Sequence, residues 1–249
     1  MRIVMFARVP RWYSFKQDRL AKRLQAEGHE IIGIVVEQTK TLASLREWWH
    51  KYGSRVMMRK VASKLGRQAG MTSRSQEQNA NLGDKLPPCD APVHFIASHN
   101  SDECVQVVKR LQPEVIVLRG CGIVKKQVLA VPTLGTINPH YAVLPAYRGM
   151  EVTEWSALHG DPCAVCVHWV TEAVDAGGVI ASRPINVERG DDIGNLREKA
   201  AVIAAELLAE ALIKIQSGVA RPRFMPIVEG RQYFVMHPRL RQLAEMRLR

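Results

Sequence analysis

The apolar positions of this chain fall into short unbroken runs separated by segments with helical spacing. Arg2 to Ala7 is one such run, and Ile31 to Val36 is another. Between them Leu20, Ala21 and Leu24 repeat at helical intervals within Phe15 to Glu27, and Gly28 ends that stretch. Unbroken apolar runs belong to strands covered on both faces, whereas three-and-four spacing marks a helix with one apolar stripe. The alternation resumes after a long polar interval. Val93 to Ala97 predicts a strand, and Asn100 or Ser101 caps a helix reaching to Leu111. Val115 to Leu118 predicts a strand, Val124 to Ala130 a short helix, and Gly135 to Asn138 a strand. Cys163 to Thr171 and Val179 to Val187 read as two more strands, and Asp191 opens a long Ala- and Leu-rich helix through Ile215. Beyond Gly218 the pattern weakens to Pro-bearing turns, a strand-like Gln232 to Met236, and a short basic helix or tail from Arg239 to Arg249. Strands alternating with helices predict an α/β fold with a doubly wound, mostly parallel sheet. Residues 1–217 make the main domain and 218–249 a short C-terminal extension.

The interval from about 40 to 85 changes the picture through its charge. The chain carries a formal net charge of +11, and between Lys40 and Arg74 the basic residues Lys40, Arg46, Lys51, Arg55, Arg59, Lys60, Lys64, Arg67 and Arg74 face only Glu47. Leu42, Leu45, Trp48, Trp49, Tyr52, Val56, Val61 and Leu65 are interleaved among them, an amphipathic helical pattern broken near Gly53. Residues 66–85 lack periodicity and read as a loop. The segment is expected to be a basic helical insertion whose aromatic residues pack. A docking surface for RNA or anionic lipid is the sharper, less favoured alternative. In either case a positive field draws anionic ligands.

The chain offers no apolar run near the ~18 residues of a membrane span, and its first strand reaches Arg8 too soon for a signal peptide. The expectation is a cytoplasmic protein. Five cysteines without framework spacing fit reduced thiols, and Cys163-x-x-Cys166 lies inside an apolar run rather than at a turn before a helix. Cys89, His94, His99 and Cys104 recur every five residues, which suits neither a zinc finger nor a ribbon. Gly120-Cys121-Gly122 lacks the third glycine of a dinucleotide loop, and Asp191-Asp192 reads as charge at a helix start. No metal is expected. His168 faces either core or pocket.

One region concentrates reactive side chains. Asn138-Pro139-His140 ends an apolar strand, Leu144-Pro145-Ala146-Tyr147-Arg148-Gly149 follows, and Val174-Asp175-Ala176-Gly177 ends another strand. Asn138 and His140 are two apart, so in extended backbone they share a face, at the strand end where α/β sheets place ligands. An amide, an imidazole and a carboxylate suit acyl transfer to an amine: the amide donates to an oxyanion, the imidazole moves protons, and the carboxylate orients the imidazole. The residues alone also fit a strand-end turn stabilised by Asn and His.

The stretch Leu134 to Gly149 resembles the signature of the folate-dependent formyltransferases, an N-x-H followed by L-P-x-Y-R-G. Val174 to Ile180 resembles that family's D-x-G turn, and Leu118-Arg119-Gly120-Cys121-Gly122 its glycine-bearing loop. The likeness is firm from about Pro113 to Arg197 and looser over residues 1 to Glu37. It implies a Rossmann-like formyltransferase fold with Asn138, His140 and Asp175 as catalytic residues. It also implies 10-formyltetrahydrofolate as cosubstrate, its pterin held by Leu118, Arg119, Gly120, Cys121, Gly122, Val170 and Val174. Tyr147, Arg148 and Gly149 fall on the acceptor side.

Departures from the family narrow the acceptor. Ala142 stands where the family often has Ser, and Phe6-Ala7-Arg8-Val9-Pro10 replaces the glycine-rich phosphate loop of glycinamide ribonucleotide formyltransferases. The residues after Gly218 are too few for the C-terminal barrel of methionyl-tRNA formyltransferases. The expectation is a small anionic amine acceptor, a nucleotide-linked amino sugar first. The alternatives are another amine such as methionyl-tRNA, hydrolysis of the folate, or a non-catalytic RNA- or membrane-binding protein on this scaffold. A nucleic-acid partner is not favoured. The insertion or C-terminus offers material for a homodimer contact.

Overall fold

The computed structural model describes residues 1–8, 19–37, 90–221 and 230–248. The basic segment, the loop expected at 66–85 and Cys89 lie outside the described residues. The first two strands, β1 (Arg2–Arg8) and β2 (Glu30–Glu37), flank helix α1 (Arg19–Ala26). Strand β3 (Val93–Ile96) is followed by α2 (Asp102–Leu111), β4 (Val115–Leu118) by the short α3 (Lys126–Leu129), and β5 (Gly135–His140) continues the series. Ser101 is the cap of α2, its hydroxyl accepting from Cys104 N–H at 3.2 Å.

Seven strands lie in the order β3-β2-β1-β4-β5-β7-β8, where β7 is Ala164–Trp169 and β8 is Val179–Pro184. The first five are parallel, while β7 and β8 run antiparallel to their neighbours and close one edge. The order reverses between β1 and β4, the point at which doubly wound sheets open a crevice at their carboxyl ends. Alternation along each strand divides the core into two layers. Ile3 and Met5 face one layer with Val115, Val117, Leu20 and Leu207, while Val4 and Phe6 face the other with Ile116, Leu118 and Val108.

The longest helix, α5 (Ile193–Gln216), starts two residues later than its sequence suggests. Asp192 is its cap and closes a reciprocal box with Asn195, so Asp191 is left outside to pair with Lys199 at 2.8 Å.

Two elements have no counterpart in the apolar pattern. Strand β6 (Tyr147–Gly149) is three residues long and pairs in parallel with β9 (Arg231–Tyr233). Helix α4 (Val152–His159) buries Thr153, Glu154 and Ser156 beside Val152 and Ala157, so polar residues interrupt its apolar stripe. Of the basic helix or tail expected from Arg239, the structure forms the helix, α6 (Pro238–Arg247). Arg241 of α6 and Arg197 of α5 both pair with buried Glu154, and Trp155 Nε1 donates to Phe234 O at 2.9 Å. The C-terminal segment thereby braces β6 through both β9 and α4. No helix among the described residues is long and apolar enough to cross a membrane.

Candidate active site

Strand β5 runs on through Pro139 to His140, and antiparallel pairing sets Asn138 opposite His168 and His140 opposite Cys166. Cross-strand partners share a face, so Asn138 and His168 meet: the amide Nδ2 lies 3.3 Å from His168 Nε2. The ring of His140 stands edge-on to that of His168, with centroids 5.9 Å apart. Asp175 completes the group, with Oδ2 3.6 Å from His140 Nδ1 and Oδ1 3.5 Å from His168 Nε2. The structure therefore brings Asn138, His140 and Asp175 together and adds His168 as a fourth member.

Backbone carbonyls fix the protons on both rings. His140 Nε2 donates to Tyr147 O at 2.7 Å, and His168 Nδ1 donates to Trp169 O at 2.8 Å. In their neutral forms both imidazoles therefore aim a lone pair at the carboxylate. A proton on His140 Nδ1 converts its contact with Asp175 from lone-pair opposition into an ion pair. Burial holds His168 in the neutral state, pushing its pKa down to about 4. The arrangement is two imidazoles, that of His168 neutral, and one carboxylate, with the half-buried Asn138 amide against His168. The ligand atoms of His140, His168 and Asp175 lie within 4.8 Å of one another, so the same three could also accept a divalent cation.

The loop after β7 places the carboxylate by close backbone approach. Asp175 is left-handed at φ 48°, where non-glycine residues are uncommon. Gly149 N–H donates to its Oδ2 at 2.8 Å. A Cβ on Gly177 would lie 1.7 Å from Trp169 O, the same carbonyl that accepts from His168. Only glycine fits there.

The residues expected to hold a pterin lie at the ends of β4 and β7 and in the loops after them. Leu118 is buried at the end of β4 and packs with Cys121 and Val170, while Arg119 N–H donates to Phe6 O and Val170 N–H to Thr136 O. Gly120 is left-handed at φ 63°. Val174 is half-buried beside Asp175.

Tyr147, Arg148 and Gly149 occupy β6, whose backbone touches His140 and Asp175. The Tyr147 side chain turns toward a cleft of about 530 Å³ lined by Pro145, His159, Asp161, Arg231 and Tyr233. Its hydroxyl donates to Asp161 and lies 2.8 Å from His159 Nδ1, and its ring stacks on Tyr233 at 5.0 Å. Burial, and then Asp161, push the phenol well above its ordinary range, so it stays protonated. His159, Asp161, Arg231 and Tyr233 went unremarked in the sequence because they come from elements without periodic signal. His168 had a usable signal: it alternates with Cys166 on the strand antiparallel to β5.

The remaining sequence signals resolve quietly. Cys163 and Cys166 are buried free thiols, and burial pushes Cys166 up to about 12. Cys104 is buried in α2, and His99 stacks on Phe6 at 4.7 Å.

Fold and site together define a doubly wound α/β protein with an amide–imidazole–carboxylate group at its strand ends. A model of the formyl transferase family matches residues 19–212, and the chain belongs to that family. A methionyl-tRNA formyltransferase from Caldanaerobacter subterraneus subsp. tengcongensis is 34% identical over 125 residues, covering 49% of this chain and 40% of that protein. The match thus spans less than half of that curated relative. Among solved structures, a phosphoribosylglycinamide formyltransferase from Bacillus halodurans shares the fold at TM-score 0.58 and 21% identity, covering 88% of this chain and 97% of that one. The formyltransferase PseJ from Anoxybacillus kamchatkensis, solved with UDP-4,6-dideoxy-4-formamido-L-AltNAc and tetrahydrofolate, aligns at TM-score 0.50 and 15% identity over 94% of this chain and 85% of that one.

Proposed function

We propose that this protein transfers a formyl group from 10-formyltetrahydrofolate to a primary amine, with a nucleotide-linked amino sugar as acceptor. The observation that carries the reading is Asp175 set between two imidazoles, one of which also meets the Asn138 amide, in a chain of the formyl transferase family. The amine nitrogen attacks the formyl carbon, the carbonyl oxygen takes up negative charge, and the carbon–N10 bond then breaks. Asn138 keeps a second amide hydrogen beyond the one facing His168 and donates it to that oxygen. His140 in its protonated form adds charge stabilisation, with Asp175 supporting it. The proton lost by the amine passes to N10 of the leaving folate by way of His140 and Asp175. No protein nucleophile is required. His168 stays neutral and orients Asn138 and Asp175.

The donor's pterin fits against Leu118, Arg119, Gly120, Cys121 and Gly122 on one side and Val170 and Val174 on the other. Leu118, Cys121 and Val170 give it an apolar wall, and the loop backbone gives it polar partners. The acceptor approaches from β6, where Tyr147, Arg148 and Gly149 lie. Net charge and the sugar nucleotide held by PseJ support an anionic acceptor.

The test is release of tetrahydrofolate from 10-formyltetrahydrofolate with amino-sugar nucleotides, charged methionyl-tRNA, glycinamide ribonucleotide and a water-only control. Release that requires an amino-sugar nucleotide and vanishes in Asp175→Ala supports the whole reading. Release only with methionyl-tRNA or glycinamide ribonucleotide overturns the acceptor, release with water alone makes the protein a hydrolase, and no release overturns the activity.

A further inference from the structure

Arg148 is the one arginine among the buried residues described, with 8% of its surface exposed. Its Nε is sealed from solvent without a partner, and its guanidinium has no hydrogen bond or ion pair among the described residues. The contrast with its neighbours is sharp. Arg197 and Arg241 are more exposed, yet both reach Glu154, and Arg183 reaches Glu206. A charge taken from water without a counter-ion is costly, so a fold that buries one keeps it for a ligand that supplies the counter-ion.

A second feature lies three residues along the chain. Helix α4 is eight residues long, and its N-terminus has no side-chain cap. Glu151, at the cap position, turns its carboxylate away to accept from Met236 N–H at 2.8 Å. The first N–H groups of a helix have no intrahelical acceptor and carry partial positive charge. Arg148 comes just before this terminus in the chain, and a buried guanidinium and free helix N–H groups are each donors that suit the oxygens of a phosphate. The peptide units on either side of Arg148 are those that hold His140, through Tyr147 O, and Asp175, through Gly149 N–H. An anion bound here sits on the strand that positions the reacting groups.

We propose that Arg148 and the N-terminus of α4 form the anion site of the acceptor, taking its phosphate or diphosphate group. The proposal rests on the acceptor class given above, but its readout is binding, which is independent of turnover. The experiment measures Tm and calorimetric affinity for UDP, inorganic pyrophosphate and tetrahydrofolate, at matched ionic strength, with sulfate as the control anion. The full chain is compared with Arg148→Met and Arg148→Lys. UDP and pyrophosphate should raise the Tm of the unmodified protein, and Arg148→Met should lose that rise while keeping the response to tetrahydrofolate. Its UDP affinity should fall about 10- to 100-fold. Arg148→Lys, which keeps the charge but loses the planar fork, should weaken UDP about tenfold. Ligand-free Arg148→Met should melt no lower than the unmodified protein, because the sealed Nε has no partner to lose. A lower ligand-free Tm with an unchanged UDP response makes Arg148 a structural residue and overturns the proposal. Loss of the tetrahydrofolate response alone assigns the anion to the folate and overturns it equally. Formyl release failing while UDP binding follows Arg148 would sink the activity and leave the anion site standing.

Discussion

Gly149 N–H donates to Asp175 Oδ2 at 2.8 Å, so the motif strand β6 is joined to the loop after β7 at the carboxylate itself. That oxygen also faces His140 Nδ1, and the other faces His168 Nε2. Asp175→Asn isolates the charge from the shape. Asn tolerates the left-handed backbone at φ 48° as well as Asp does, and it is isosteric. Formyl release should fall at least about 100-fold, the usual scale for a lost acid–base group, with Tm nearly unchanged. Retention of a third or more of the activity would remove Asp175 from the mechanism.

Gly177 is where the backbone limits the site most tightly. A methyl group there meets Trp169 O at 1.7 Å, and that carbonyl cannot retreat without releasing His168 Nδ1. Gly177→Ala should cost about 1–3 kcal/mol of stability and reduce turnover further than the stability loss explains. Urea denaturation together with formyl release at a temperature where the variant is folded measures both. A variant as stable and active as the parent would show that the loop has slack at Trp169.

What was legible in the sequence follows from how each element is buried. The strands covered on both faces, such as Val115–Leu118, are unbroken apolar runs, and the helices at their flanks carry ordinary caps and stripes. The position of Asn138 and His140 followed from a strand end and a two-residue spacing. Helix α4 was silent because Glu154, wholly buried, belongs to an ion network with α5 and α6 rather than to an apolar stripe. Likewise β6 is specified by its partner β9, more than 80 residues away in sequence, and no local pattern reports such pairing. The side-chain surroundings of Arg148 were equally hidden, since a missing counter-ion is a property of three-dimensional packing.

Glu154 holds three helices. Its side chain is 1% exposed, whereas those of its partners Arg197 and Arg241 are 43% and 35% exposed, so water compensates the arginines when the carboxylate is lost. That screening keeps Glu154→Gln to a loss of about 1–3 kcal/mol, below the cost of stranding a fully buried ion. The loss should be local first. Amide exchange in α6 should accelerate ahead of that in β1 and β4, and the urea midpoint should drop. Exchange in α6 unchanged from the parent would mean that its apolar contacts alone hold it.

His168 gives the native state an acid limit of defined sign. Burial is the largest influence and lowers its pKa from 6.5 to about 4, with Asp175 opposing and His140 adding to the shift. As pH falls from 6.5 toward 4 the unfolded chain takes up a proton at this position that the native chain refuses. Stability is therefore lost with falling pH across that window and is fully present above it. At ~1.4 kcal/mol per pK unit the loss approaches roughly 3 kcal/mol by pH 4. Other groups, including the Asp191–Lys199 pair, also weaken in acid, so the informative quantity is the difference between parent and His168→Gln. The urea-derived stability difference should narrow as pH falls from 6.5 to 4, because only the parent refuses that proton. A difference independent of pH would mean that native His168 takes up the proton as readily as the unfolded chain does. The imidazolium would then donate to Asp175, and His168 would join His140 and Asp175 in passing the proton to the leaving folate.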